Sequence, residues 1–170
     1  MEYKRLGNTN GMVPEIGLGT WKYNGDPKVI QKSLEMGGFH VDTAESYRTE
    51  EGVGSAVRNG RSDYFIATKV SPENLSYVDV LRAAQNSMRR LGTDHIDLYQ
   101  VHWPNARIPI DGTMAAMREL LERGDVRYVG VSNFSVQQLH EARVALAPHP
   151  IVSNQVQYSL FDRSIEEDLL

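Results

Sequence analysis

Six short runs of β-branched and aromatic residues recur along the chain, each followed by a longer stretch with helical periodicity. The runs are Ile16–Gly19, Phe39–Asp42, Tyr64–Lys69, Ile96–His102, Val126–Ser132 and Ile151–Gln157. They show little of the in–out alternation of a half-exposed strand, so both faces of the sheet they form should be covered. Between them lie helix signals. Asp26-Pro27 sets a cap before a first-turn proline, with Ile30 and Leu34 on one face. Ser76-x-x-Asp79 resembles a capping box and leads into Leu81, Ala84, Met88 and Leu91. Met114, Met117 and Leu121 mark a further helix. Ser135-x-x-Gln138 opens another, with Leu139, Ala142 and Leu146 as its stripe. Ahead of these, Lys4–Leu6 and Met12–Pro14 flank Asn8-Thr9-Asn10-Gly11 as a hairpin.

Strand–helix units of roughly thirty residues predict an α/β protein with a parallel sheet under helices. Two architectures satisfy that pattern. A doubly wound sheet holding a dinucleotide needs a glycine-rich turn entering a helix after its first strand. Here Gly17-x-Gly19 is followed by Thr20-Trp21-Lys22, and the fingerprint fails. A (β/α)₈ barrel instead predicts polar residues at the carboxyl ends of successive strands, all facing one mouth. The chain meets that expectation: Asp42, Lys69, His102, Ser132-Asn133 and Gln155 lie at or near five successive strand ends. Singly, each has an ordinary reading as a loop lysine, a packed histidine, a helix cap or turn chemistry. Their coincidence on five strands is the informative feature.

Composition narrows the partners. The 170 residues carry a formal net charge of −4 and no basic cluster, which argues against nucleic acid or an anionic membrane surface. No run is long and apolar enough for a membrane span or a leader, so a cytoplasmic protein is expected. With 0 cysteines, disulfides, thiolate metal sites and thiol nucleophiles are excluded. Residues 1–170 read as one domain.

The strand-end segments resemble the aldo-keto reductase family. The resemblance rests on Asp42-Thr43-Ala44-Glu45-Ser46-Tyr47, the helix-like Glu50-Glu51-Gly52-Val53-Gly54, Phe65-Ile66-Ala67-Thr68-Lys69 and the stretch Leu91 to Pro104. It continues through Gly124 to Phe134 and Asn154-Gln155-Val156-Gln157-Tyr158, in family order. It implies an incomplete (β/α)₈ TIM-type barrel, with about six of eight units after an N-terminal hairpin. It also implies reduction of aldehydes and ketones with hydride from NADP or NAD, the phosphorylated form favoured. By resemblance, Tyr47 is the proton donor and Asp42, Lys69 and His102 complete a catalytic tetrad, with Lys69 lowering the tyrosine pKa. Gly19, Thr20, Asp42, Ser132, Asn133 and Gln155 would hold the cofactor, the last three at the nicotinamide carboxamide. Trp21, Tyr47, His102 and Trp103 would wall the pocket for a small carbonyl substrate. One departure is Arg48, where the family often has glycine; it would narrow the mouth.

Such barrels run to about 250 residues. The family's nicotinamide-stacking tyrosine and adenosine-phosphate segment have no counterpart before Leu170. An open six-stranded sheet is therefore expected, and the activity of these 170 residues alone is doubtful. Other readings are a regulatory binding protein that keeps the cofactor, an inactive fragment, and a metal-dependent hydrolase built on His40, Asp42 and His102. The tetrad reading assigns no metal. Substrate identity and oligomeric state are not written in the sequence.

Overall fold

The computed structural model describes residues 1–24 and 26–170. Strands β1 (Tyr3–Arg5) and β2 (Met12–Pro14) pair antiparallel as a hairpin. A six-stranded parallel sheet follows: β3 (Leu18–Gly19), β4 (His40–Asp42), β5 (Phe65–Val70), β6 (Ile96–Val101), β7 (Val126–Ser132) and β8 (Ile151–Gln155). Its spatial order is the sequence order, so each crossover steps one strand in the same direction. Among the described residues, no further strand lies beside the edge strands β3 and β8. The helices are α1 (Pro27–Glu35), α2 (Glu50–Val57), α3 (Tyr77–Leu91), α4 (Ile110–Arg123) and α5 (Val136–Leu146).

Local chemistry accounts for the helix ends. Asp26 accepts from the Lys28 amide ahead of Pro27, and Ser76 accepts from the Asp79 amide. Ser135 and Gln138 form a reciprocal capping box. Gly92 and Gly124 end α3 and α4 in the left-handed conformation that glycine adopts without steric cost.

Two apolar layers result. Outward-facing strand residues such as Ile66, Val70, Tyr99, Val101, Val129 and Val131 pack under helix residues that include Leu91, Met114, Met117 and Leu146. Each fully buried aliphatic side chain contributes about 1.5–3 kcal/mol. On the concave face, Ala67, Leu98 and Val152 cluster with Leu6 from the hairpin, with Phe65 and Tyr128 packed against them. The hairpin thus packs over the amino-terminal end of the sheet.

The strand boundaries differ from the sequence reading where neighbours are lacking. The first strand begins at Leu18, not Ile16, and Ile16 is 67% exposed at the free edge. The sixth ends at Gln155, not Gln157, because its outer side has no strand to bond. His102 lies just past β6, and β5 runs one residue beyond Lys69.

Candidate functional site

Strand register sets the positions of the candidate residues. Gly19 pairs with Asp42, Lys69 with Gln100, Gln100 with Gly130, and Ser132 with Gln155. Asp42, Lys69 and His102 therefore reach the same end of the sheet, and a 3₁₀ turn over Glu45–Tyr47 brings Tyr47 to them. That turn is tied down by Glu45, which accepts from the Ser71 amide and the Asn74 side chain, both at 2.8 Å.

Lys69 is 1% exposed, and a buried ammonium needs partners. Its Nζ donates to Asp42 Oδ2 at 2.6 Å and to the Thr43 carbonyl at 2.9 Å. Burial pulls the Lys69 pKa below its ordinary value, with Asp42 opposing. The ammonium sits 5.0 Å from the centroid of the Tyr47 ring. The Tyr47 hydroxyl lies 3.3 Å from His102 Nε2, with the two rings nearly perpendicular. Ser46 Oγ contacts the other ring nitrogen, Nδ1, also at 3.3 Å. Burial, and secondarily the Lys69 charge, hold His102 below the usual histidine range. The imidazole is thus neutral at pH 7, with one nitrogen donating and one accepting.

One expectation is corrected. The sequence reading has the tyrosine pKa brought down by Lys69, but its net shift is upward, through burial first and the Asp42 carboxylate second. The reason is geometric: the tyrosine is half-buried, and Asp42, bonded to the ammonium at 2.6 Å, sets its own charge against that of the lysine. Arg48 is also placed differently from its expectation. It is exposed, does not line the cleft, and adopts a left-handed φ of 59°, a conformation open to glycine at no cost.

A cleft of about 640 Å³ opens over these groups. Tyr47, Lys69 and His102 form one side, Ser132, Asn133 and Gln155 the adjoining wall, and Trp21 and Trp103 the rim. The tryptophans are 68% and 52% exposed, so neither is a core residue. Gly19, Thr20 and Asp42 do not line the cleft. Thr20 is 1% exposed; its hydroxyl donates to the Asp42 carbonyl and bonds Thr49, fastening the end of β3. Sequence reasoning missed Lys22, Ser46 and Gln157 in the cleft, and Gln100 beneath it. Gln100 was findable, since it precedes His102 by two and shares its strand face.

The wall suits a carboxamide. Ser132 Oγ donates to the Gln155 carbonyl, and Asn133 Nδ2 donates to the His102 carbonyl and Ser132 Oγ. Among the described residues, Asn133 Oδ1 and Gln155 Nε2 keep no partner, leaving one acceptor and one donor. A primary amide presents the complementary pair. Asn133 is held at φ 62°, a strained conformation of the kind that clusters at binding sites.

The metal-ligand alternative finds no matching arrangement. Among the described residues, no three His, Asp or Glu side chains are grouped to hold an ion. Asp42 is engaged by Lys69, and His40 packs edge-on against Phe65. Among the described residues, no helix is long and apolar enough to cross a membrane.

Comparison with known proteins places the chain in a family. A sequence model of the aldo/keto reductase family matches residues 15–170. An aldo-keto reductase of Bacillus subtilis, YhdN, is 37% identical over 193 aligned positions, covering 100% of this chain and 57% of that protein. The methylglyoxal reductase YeaE of Escherichia coli is 34% identical, covering 93% and 59%. The crystal structure of the thermostable aldo-keto reductase Tm1743 with the inhibitor epalrestat superposes with a TM-score of 0.94 at 42% identity, covering 99% of this chain and 66% of that one. A Klebsiella pneumoniae aldo-keto reductase solved with NADPH gives 0.85 at 35% identity, covering 99% and 63%. The chain thus spans a little over half the length of the curated relatives it matches.

Proposed function

Because the chain belongs to the aldo/keto reductase family, we propose that the protein carrying it reduces aldehydes and ketones to alcohols with NADPH, residues 1–170 forming one domain of the enzyme. The observation that carries this reading is the convergence of Tyr47, Lys69, Asp42 and His102 beside an amide-reading wall, at the carboxyl ends of parallel strands. Small carbonyl compounds fit a cleft of this size, and a related protein is named for methylglyoxal. The compartment proposed is the cytoplasm.

The residue roles follow from the contacts. Tyr47 is protonated at neutral pH, since burial and Asp42 raise its pKa, and its hydroxyl is the proton donor to the carbonyl oxygen. As that proton leaves, the ammonium of Lys69 stabilises the tyrosinate. Asp42 and the Thr43 carbonyl fix the ammonium in place. His102, neutral, orients the substrate oxygen against Tyr47 from its Nε2 side. Asn133 Oδ1 and Gln155 Nε2 hold the cofactor carboxamide. A bound nicotinamide supplies the hydride.

The test is Tyr47→Phe with methylglyoxal and NADPH, followed by loss of NADPH absorbance. A fall in kcat of about 10²-fold, with NADPH binding retained, is expected for a lost general acid. A kcat near that of the parent removes Tyr47 from the mechanism.

A further inference from the structure

The cofactor wall rests on a polar floor that none of the assigned roles uses. Gln100 is 2% exposed within the concave face of the sheet. Its Nε2 donates to Gln155 Oε1 at 3.1 Å, and its Oε1 accepts from Ser153 Oγ at 3.3 Å. The three groups form a chain of one polarity, from the Ser153 hydroxyl through both faces of the Gln100 amide to the oxygen of Gln155. Gln155 is itself exposed at the open edge, and a free glutamine amide there could present either its oxygen or its nitrogen. With its oxygen turned to Gln100, Nε2 is the amide atom left without a partner among the described residues.

The backbone is arranged to permit this. Between β7 and β8 the register slips: Val129 pairs with Ile151, but Val131 pairs with Asn154. An extra residue on β8 lies opposite Gly130, a bulge of the kind that re-aims side chains beside active sites. Consecutive residues consequently face the interior, with Val152 in the apolar cluster and Ser153 on Gln100. A regular strand would send one of them to the other face. Gly130 provides the room, since a Cβ there would lie 2.4 Å from Ser153 Oγ and 3.2 Å from Gln100 Cγ.

We infer that Gln100, seated by Ser153 and Gly130, is a positioning residue that fixes the Gln155 amide with its nitrogen outward, so that this wall reads the carbonyl oxygen of the cofactor carboxamide. This rests on the proposed cofactor role of Gln155.

The test is a double-mutant cycle on the dissociation constant of NADPH, titrated by its fluorescence to millimolar concentrations so that a weak site still registers. Gln100→Leu should weaken NADPH binding about tenfold, as expected for one misdirected hydrogen bond. The same substitution in a Gln155→Ala background should change it by less than about twofold, because there is no amide left to orient. Gly130→Ala gives a second route, crowding Ser153 and Gln100 without touching either group's chemistry, and should also weaken binding. If Gln155→Ala weakens NADPH binding but Gln100→Leu does not, the inference is overturned while the wall stands. Equal losses from Gln100→Leu in both backgrounds reduce Gln100 to packing and also overturn it. If Gln155→Ala has no effect, or the parent protein binds no NADPH, the reading of the wall fails first, and this inference with it.

Discussion

Lys69→Met separates the role of the lysine charge from that of its buried stem. Nζ lies 5.0 Å from the centre of the Tyr47 ring. Unit charges at that separation interact by about 3 kcal/mol at an effective dielectric near 20. Asp42, only 2.6 Å from the ammonium, opposes part of this for a developing tyrosinate. The lysine therefore supplies about 1–3 kcal/mol at the transition state, a factor of about 10 to 10² in kcat. The pH profile carries the sharper signature. Burial lowers Lys69 from 10.5, whereas burial and Asp42 raise Tyr47 from 10.0. As pH rises, loss of the Lys69 proton removes the charge that favours the tyrosinate and loss of the Tyr47 proton removes the acid, and both close the basic limb of kcat. Lys69→Met should reduce kcat by the factor given and move that limb upward, to the titration of Tyr47. Lys69→Arg, which stays charged, should keep more of the rate than Lys69→Met. Adding Asp42→Asn to Lys69→Met removes the orphaned carboxylate and should not restore turnover. Steady-state kcat for methylglyoxal across the alkaline range is the assay. A Lys69→Met variant with unchanged limb and kcat within about twofold of the parent refutes the electrostatic argument.

Three further outcomes are expected away from the cleft. Asp97, 2% exposed, accepts from Arg61, Arg127 and the Ile66 amide; Asp97→Ala should cost about 3–5 kcal/mol in denaturant unfolding by leaving those donors unpaired. His40 is held below 6.5 by burial, so the unfolded chain binds the proton more readily. Stability is full above about pH 6.5 and is lost as pH falls toward the folded-state value, and His40→Gln should flatten that slope in denaturant titrations at stepped pH. Arg48→Gly should raise the unfolding free energy in denaturant titrations by up to about 1 kcal/mol, because it relieves the left-handed backbone at an exposed site.

The architecture was legible because apolar period and turn chemistry both act locally. The caps at Asp26, Ser76 and Ser135 bond residues two or three positions away, so their consequences are visible in the sequence. The boundaries that moved, at Ile16 and Gln157, depend instead on whether a neighbouring strand exists. The polar strand ends were legible for a related reason. A charged or amide side chain closing an apolar run must either leave the sheet or meet a partner, and five such runs in succession point to one mouth. Contacts that join distant residues were not legible. Arg61 with Asp97, Ser46 with His102 and the Thr20–Thr49 pair each require the fold before they can be drawn. The direction of the Tyr47 pKa shift escaped for the same reason, since it depends on where Asp42 sits relative to the lysine.

What ties the site to the fold is a change of chemistry along each inward face. On β5 the inward residues run Phe65, Ala67, Lys69; on β6, Leu98 and Gln100; on β7, Tyr128, Gly130 and Ser132. At the hairpin end these positions are apolar and bury one another, where no polar partner would be within reach. From the level of Lys69, Gln100 and Gly130 onward they are polar or empty of side chain, and their donors meet acceptors on neighbouring strands or, for Gln100, across Gly130 on the strand beyond. A buried polar group costs free energy unless it is bonded, so this layer persists only as a connected set, and the unpaired atoms it retains, Asn133 Oδ1 and Gln155 Nε2, are those facing the cleft. The same strand period that builds the core therefore selects which residues face the ligand, and substitutions below that level should alter stability while those at it alter binding.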